Sequence, residues 1–393
     1  MIRLAREEDT PQIKDLWNYC FDDSPEFIDF FFNSCYIPNN TLVSEEDGRV
    51  QSCLQLLPYI MSLRGREVPV YYIVGVGTWP ENRGQGLAKK LLQYGNDVMK
   101  ERGYDISVLL PFQYDFYRKY GWEVCYDLLI YRKVELISAI ATKKQQLNKG
   151  TSKVESFRKV VMDEDWKTLS DCYFKYMKGY NGYIIRSQKE WSRIIKDIEL
   201  DHGFAYVYEY NNVTQGYILY TIENNTLDVQ ELVHTTAVAK HNLLNLALSH
   251  IGQVDHIIRK APFWDTDYLS MIDSRGRLEK ETFVMGRIHN LTGAISGIDY
   301  VGDSFVIQVK DTFYEENNGC FEIMQRNGKA NINRVVEEPD IIIDIQTLNQ
   351  LLWGYLSAEV AYIESRLSCV KEESLQDLNK LFPPMYNYMT ETY

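Results

Sequence analysis

Two rhythms of apolar residues alternate along this chain. Asn40 to Glu45, Val50 to Pro58 and Glu67 to Val76 are short apolar runs, the last two joined across an Arg64-Gly65 turn. Such runs predict consecutive strands, and Tyr71 to Val76, β-branched and aromatic, predicts a buried one. Pro80 cannot continue a ladder and marks that strand's end. From Leu87 the rhythm changes, with Leu87, Leu91, Leu92, Tyr94 and Val98 at helical spacing. Upstream, Ile2 to Asp9 predicts a strand leading into a helix through Ile13, Leu16 and Trp17, capped by Asp9 or Thr10. Asp105 to Leu110 predicts one more buried strand.

The same grammar returns after Lys143 to Lys153, a polar stretch that reads as a linker. Phe157 to Trp166 predicts a short strand followed by an acidic helix start. Phe204 to Tyr210, Gly216 to Ile222 and Leu227 to Thr235 predict three strands separated by Asn-Asn turns. A helix through Leu243, Leu244, Leu246, Ala247 and His250 follows. From Met285 onward the pattern changes again. Strands are expected at Ser304 to Lys310, Gly319 to Gln325, Ala330 to Val335 and Asp340 to Ile345, then helices at Gln346 to Leu356 and Ala358 to Leu367. At 393 residues the chain exceeds one comfortable core. The expected division is 1–150, 151–284 and 285–393, in an α/β (α+β) architecture of mixed sheets with flanking helices.

The chemistry concentrates at Val74-Gly-Val-Gly-Thr-Trp-Pro-Glu-Asn-Arg-Gly-Gln-Gly-Leu-Ala88. A glycine-bearing loop opens directly into a helix, whose free N–H groups and positive dipole end favour an anion. Gly84 and Gly86 remove side chains that would hold a phosphate away from those amides. A P-loop needs Lys-Ser or Lys-Thr after the last glycine, where Leu87-Ala88 stands. A dinucleotide fingerprint needs a third glycine where Lys89 stands.

What remains, Arg83-x-x-Gly86-x-Ala88 after a strand and a proline, resembles the pyrophosphate motif of the GCN5-related N-acetyltransferases (GNATs). The resemblance implies an acetyl-CoA co-substrate. Backbone at Val76, Gly77 and Thr78 would pair with pantetheine. Arg83, Gly84, Gln85, Gly86, Leu87, Ala88 and Lys89 would grip the pyrophosphate, with Phe112 and Gln113 nearby. Phe112 to Trp122 is similar to the Phe-Tyr-x-x-Tyr-Gly-Trp element of that family, and the position of the family's general-acid tyrosine is Tyr117. The same tyrosine also reads as a helix-packing aromatic. In the second segment the matching stretch, Thr236 to Asn242, has no glycine, so a GNAT-like unit with its cradle erased is expected. His234 and His241 lie close together there and read as ordinary histidines before a metal pair.

The third segment looks like a sterol-carrier-type α+β domain. The three parts together resemble the Eis (enhanced intracellular survival) acetyltransferases, implying acetylation of primary amines on small cationic molecules, aminoglycoside- or polyamine-like, and a hexameric homo-oligomer. Val68 to Pro80 holds no carboxylate and the first histidine is His202, so the usual GNAT base is missing. The resemblance assigns that role to the chain-terminal carboxylate, here that of Tyr393, whose tail from Leu381 is aromatic and apolar. An α-carboxyl titrates near 3.3–3.7 and becomes a better base when buried. Asp22, Asp23 and Glu26, amid aromatics, suit a cationic acceptor, and equally suit an amphipathic surface helix. A peptide amine, longer acyl groups, or a non-enzymatic carrier of apolar ligands are the alternatives.

Charge and cysteines narrow the setting. A net charge of −13 argues against nucleic acid or anionic membrane as partner; it would concentrate a cationic substrate, and equally serves to keep a protein in solution. Cys20, Cys35, Cys53, Cys125, Cys172, Cys320 and Cys369 are odd in number and unpaired in spacing, which predicts reduced thiols in the cytoplasm and no metal site. The charged N-terminus lacks a signal-peptide core, and no run approaches the ~20 apolar residues of a membrane span.

Overall fold

A computed structural model describes residues 1–132, 155–270 and 278–392. The linker expected at 143–153 and the boundary at 150 lie outside the described residues, as does Tyr393. The chain divides into two compact units. One comprises Met1–Tyr126, Phe283–Asn387 and the residues from Glu391; the other comprises Asp127–Thr282 and Tyr388–Thr390.

The first unit is built on strands β1 (Ile2–Leu4), β2 (Thr41–Glu46), β3 (Arg49–Leu63), β4 (Arg66–Thr78), β5 (Ile106–Leu109) and β6 (Glu123–Val124). They form one mixed sheet in that order, except that Met285–Ile288 inserts between β5 and β6. β1 to β4 pair antiparallel, whereas β4 and β5 run parallel, joined through a helical crossover. One face is covered by α1 (Thr10–Cys20) and α2 (Pro25–Ser34), the other by α3 (Leu87–Glu101). Leu91, Leu92, Val98 and Met99 of α3 pack with Leu54, Leu56, Tyr71 and Ile73, as the helical spacing predicts. Short α4 (Tyr114–Arg118) follows β5.

The expected cap of α1 is displaced. Asp9 stands at the N-cap position without bonding the helix. Its carboxylate instead accepts two bonds from Arg3, at 2.6 and 2.9 Å, and one from the Arg6 amide at 2.7 Å. A bidentate guanidinium is the stronger partner, and it fastens β1 to the helix start.

The second unit holds β7 (Asp127–Tyr131), β8 (Glu155–Lys159), β9 (Tyr183–Ile184), β10 (Phe204–Tyr210), β11 (Val213–Glu223), β12 (Thr226–His234), β13 (His256–Pro262) and β14 (Glu279–Thr282). Its sheet runs β14-β7-β13-β12-β11-β10-β8. Helices at Met162–Met177, Gln188–Leu200 and Ala237–Leu248 accompany it. The device at the chain start repeats: Arg158 grips Asp165 at 2.6 and 2.7 Å, and Asp165 accepts from the Val161 amide.

Met285–Ile288, read from sequence as the opening of a third segment, is β15 of the first unit's large sheet. Beyond it, β16 (Phe305–Lys310), β17 (Gly319–Arg326), β18 (Lys329–Val335), β19 (Ile341–Asp344) and β20 (Leu367–Cys369) form a five-stranded sheet. The helix Ile345–Trp353 is buried at every position except Gln346. It joins this sheet to the large one with backbone-directed bonds: Asn349 to the Gly121 carbonyl at 2.7 Å and Gln350 to that of Val124 at 2.8 Å. Arg64 reaches the Leu351 and Leu352 carbonyls at 2.6 Å each, capping that helix's C-terminal end. Leu348, Leu351, Leu352 and Trp353 are core residues.

No helix among the described residues is long and apolar enough to cross a membrane. The same residues hold no group of three or more His, Cys, Asp or Glu arranged for a metal.

Candidate functional site

β4 and β5 pair only from Val70↔Ile106 to Ile73↔Leu109. Beyond Ile73 the strands part, while β4 continues against β3 as far as Thr78↔Ser52. Two features cause the split. A register shift at Cys53–Gln55 of β3 accompanies Gly75 at φ +59°, and two residues past the end of β5 Pro111 has no N–H to extend the ladder. Val76, Gly77 and Thr78 therefore border an edge free of β5, open to an extended ligand. Their β3 side is fixed: Ser52 donates to the Gly77 carbonyl at 2.7 Å, and Cys53 Sγ to that of Gly75 at 3.6 Å. Burial pushes the Cys53 thiol up to about 12, so it stays a neutral donor.

The chain then turns sharply. Trp79 bonds back to Gln51 at 3.1 Å, and Pro80 opens a single 3₁₀ turn through Asn82. Arg83 is exposed; its Nε donates to the Thr78 carbonyl at 3.1 Å, and its guanidinium lies 5.8 Å from the Tyr19 ring centroid. Gly84 and Gly86 take φ of +77° and +72°, which L side chains rarely adopt, and nothing lies within 4 Å of where a Cβ would sit. Backbone handedness, as well as ligand clearance, therefore calls for glycine here. Gly86 is the N-cap of α3, and no side chain caps the helix. The first bond back onto the cap is Lys90 N–H to the Gly86 carbonyl, 3.1 Å. Ahead of it, the amides of Leu87, Ala88 and Lys89 have no intrahelical partner. Gln85 bonds the Glu81 carbonyl at 3.3 Å through its side chain. The loop expected from sequence to cradle a diphosphate is an exposed, uncapped helix entrance beside a strand edge free of β5.

Tyr117 sits on α4 with 3 % of its surface exposed, edge-on to Phe116 (5.1 Å between centroids), Phe112 (5.6 Å) and Trp122 (6.4 Å). It shares one core cluster with Leu91 of the cradle helix and with Val76. Burial pushes its hydroxyl well above the ordinary tyrosine value, so it holds its proton across the neutral range. Phe112 is 71 % exposed, a large ring left in solvent next to Tyr117. Gln113 is exposed at the head of α4.

The three acidic candidates diverge. Asp23 accepts from the Trp17 indole at 2.8 Å, tying the α1–α2 loop to a cluster of Trp17, Phe21, Phe31 and Phe32. Asp22 and Glu26 are exposed, Glu26 in the first turn of α2. The tail contributes a contact that no motif announced: the Tyr72 hydroxyl of β4 donates to the Glu391 carbonyl at 3.2 Å, and Glu391 is buried.

The second unit answers the same topological position differently. Residues 235–236, against 79–86 in the first, link β12 to its helix. Thr236 caps that helix with its own oxygen, accepting from the Ala239 amide at 3.2 Å. His234 beside it is held neutral, burial pushing it down to about 3, with its ring 5.1 Å from that of Tyr176.

Comparison with known families accounts for this arrangement. Residues 1–125 and 182–288 each match an acetyltransferase (GNAT) domain, and residues 291–390 match a sterol carrier protein domain. Two GNAT domains and a sterol carrier domain make up this chain. The tandem GNAT fold recurs in solved structures along its whole length. A GCN5-related N-acetyltransferase from Anabaena variabilis superposes with a TM-score of 0.82 at 21 % identity, covering 100 % of both chains. A probable N-acyltransferase from Enterococcus faecalis gives 0.82 at 20 %, covering 100 % of this chain and 99 % of the other. Eis1 from Mycobacterium abscessus gives 0.76 at 16 %, covering 100 % of both. No curated protein matches the sequence.

Proposed function

We propose that the first GNAT domain moves an acetyl group from acetyl-CoA to a primary amine on a small cationic molecule, polyamine- or aminoglycoside-like, or on a peptide. The observation that carries this reading is the uncapped entrance of α3, with its left-handed glycines, beside the free edge of β4. Acetyl-CoA supplies the activated thioester. Amides at the α3 entrance hold the diphosphate, and backbone at Val76 to Thr78 aligns the pantetheine arm. Arg83 adds charge at the mouth, with Phe112 and Gln113 at the flank. Asp22, Asp23 and Glu26 draw in the acceptor cation.

Only an unprotonated amine has a lone pair to attack a carbonyl, so the site needs a base. The terminal carboxylate of Tyr393, two residues past the buried Glu391, removes that proton. Tyr117 gives its proton to the departing sulfur. The amine attacks the thioester carbonyl directly. The second GNAT domain, with its helix capped by Thr236, does not bind the co-substrate. The roles divide along 1–150, 151–284 and 285–393, in a cytoplasmic homo-oligomer, hexameric by the Eis resemblance.

Calorimetric titration with acetyl-CoA, followed by thiol release over an amine panel, tests the reading; absence of binding overturns it. Acetyl-, propionyl- and longer acyl-CoA compared side by side fix the acyl chain. One glycine appended after Tyr393 should abolish most turnover while acetyl-CoA still binds. An unchanged rate removes the terminal carboxylate from the mechanism.

A further inference from the structure

The second GNAT domain buries an ion pair with no catalytic task. Arg186 and Glu231 meet side by side, Nη1 to Oε1 at 2.9 Å and Nη2 to Oε2 at 2.7 Å, their side chains 2 % and 5 % exposed. The guanidinium lies 4.1 Å from the Tyr173 ring centroid and 4.8 Å from that of Trp191. The Tyr217 hydroxyl also donates to Glu231. Burial alone would raise the Glu231 carboxyl, but Arg186 and these hydrogen bonds outweigh it and hold it below the usual range. A buried pair of this kind is poor evidence for stability, since apolar residues of similar volume often do as well. Its use lies in what it presents.

It presents one donor and one acceptor to a single hydroxyl. Thr390 Oγ1 accepts from Arg186 Nη2 at 2.6 Å and donates to Glu231 Oε2 at 2.6 Å. The same stretch is held again at Tyr388. Its amide donates to the Asn181 carbonyl at 3.1 Å, and its ring lies 5.3 Å from that of Tyr180. The next residue, Glu391, has its carbonyl fixed by Tyr72 in the first unit. Residues on both sides of the Thr390–Glu391 bond are therefore anchored.

We propose that the second GNAT domain is a tail clamp, in which Arg186 and Glu231, the latter braced by Tyr217, recognise the Thr390 hydroxyl and fix the register of the tail. In this role Arg186, Glu231 and Thr390 are positioning residues, acting through the tail. Their consequence for catalysis rests on the terminal carboxylate being the base, but the clamp itself does not. A valine at 390 keeps the shape and removes both buried bonds. A serine keeps both.

The test compares Thr390→Val and Thr390→Ser in the full chain by hydrogen exchange of the C-terminal peptide, kcat, and acetyl-CoA Kd. The clamp predicts faster exchange over 388–392 in Thr390→Val, kcat reduced at least tenfold, unchanged acetyl-CoA Kd, and recovery in Thr390→Ser. Faster exchange with unaltered kcat upholds the clamp and refutes the terminal base. Wild-type exchange in Thr390→Val overturns the clamp. Carboxypeptidase trimming of the native protein gives a check that needs no variant. Removal should stall before Thr390; trimming that runs on through Tyr388 overturns the proposal.

Discussion

Replacing Gly86 with alanine separates the helix entrance from every other property of this domain. The residue holds φ +72° and ψ +19° at the N-cap of α3. No atom lies within 4 Å of the new methyl group, so the substitution creates no clash. What it adds is left-handed strain, about 1–2 kcal/mol for an L residue. If the loop keeps its shape, the strain appears as lost stability. If the loop relaxes to negative φ, the amides at the entrance turn aside and ligand binding must restore them. At 1.4 kcal/mol per factor of ten, the second case weakens acetyl-CoA by roughly 5- to 30-fold.

Gly103 supplies the control. It closes the far end of the same helix at φ +76°, also with nothing within 4 Å of a Cβ. Gly103→Ala carries the same conformational cost with no amide aimed at a ligand. Calorimetric titration with acetyl-CoA and thermal unfolding in one buffer distinguish the variants. Gly103→Ala should lower Tm by roughly 2–8 °C and leave Kd alone, whereas Gly86→Ala raises Kd to the extent that its loop relaxes. If Gly86→Ala keeps both the wild-type Tm and the wild-type acetyl-CoA Kd, its loop has relaxed without cost to binding, and the α3 entrance is not the diphosphate site.

Two further outcomes are expected. Tyr117→Phe should lower kcat by about 10²-fold or more, the range of a lost general acid, with acetyl-CoA affinity intact; weakened binding at normal turnover contradicts the role. Asp9→Asn bears on stability and pH. Arg3, through its hydrogen bonds first, holds the Asp9 carboxyl below the usual range. A depressed carboxylate stabilises the fold above its unfolded value of about 3.9, and that contribution is lost as pH falls through the folded value. Urea unfolding should therefore show Asp9→Asn less stable near neutrality by about 2 kcal/mol, the scale of hydrogen bonds to a charged group. The gap to wild type should close as the pH falls below about 4. A gap constant from pH 7 to 3 refutes the ion-pair account.

Local chemistry made much of this protein legible. Gly84 and Gly86, Pro80, and the apolar stripe from Leu87 to Val98 act within a few residues of themselves, and the strand, turn and helix they specify appear where they point. The repeat was legible for the same reason, since a short strand and an acidic helix start recur at Ile2 to Asp9 and Phe157 to Trp166. Some readable signals were passed over. Ser187 and Glu190 form a capping box ahead of Trp191, Ile195 and Ile198, and Glu372–Leu381 is a helix with Leu375, Leu378 and Leu381 buried.

Other features had no local signature. β15, a four-residue strand at Met285, takes its place between β5 and β6 because its partners lie some 160 to 180 residues upstream. The gap between β4 and β5 depends on which pairs stop at Ile73, a matter of register between distant segments. Tyr72 is one tyrosine among 29, and nothing near it in sequence marks it as the anchor of Glu391. Thr390 is an ordinary threonine until Arg186 and Glu231 close around it. The sequence by itself determined the helix entrance, because φ angles and helical periodicity are properties of neighbouring residues. The tertiary structure alone decided where the tail runs and what holds it. Those contacts join residues hundreds of positions apart, and their energy exists only once both partners are buried together.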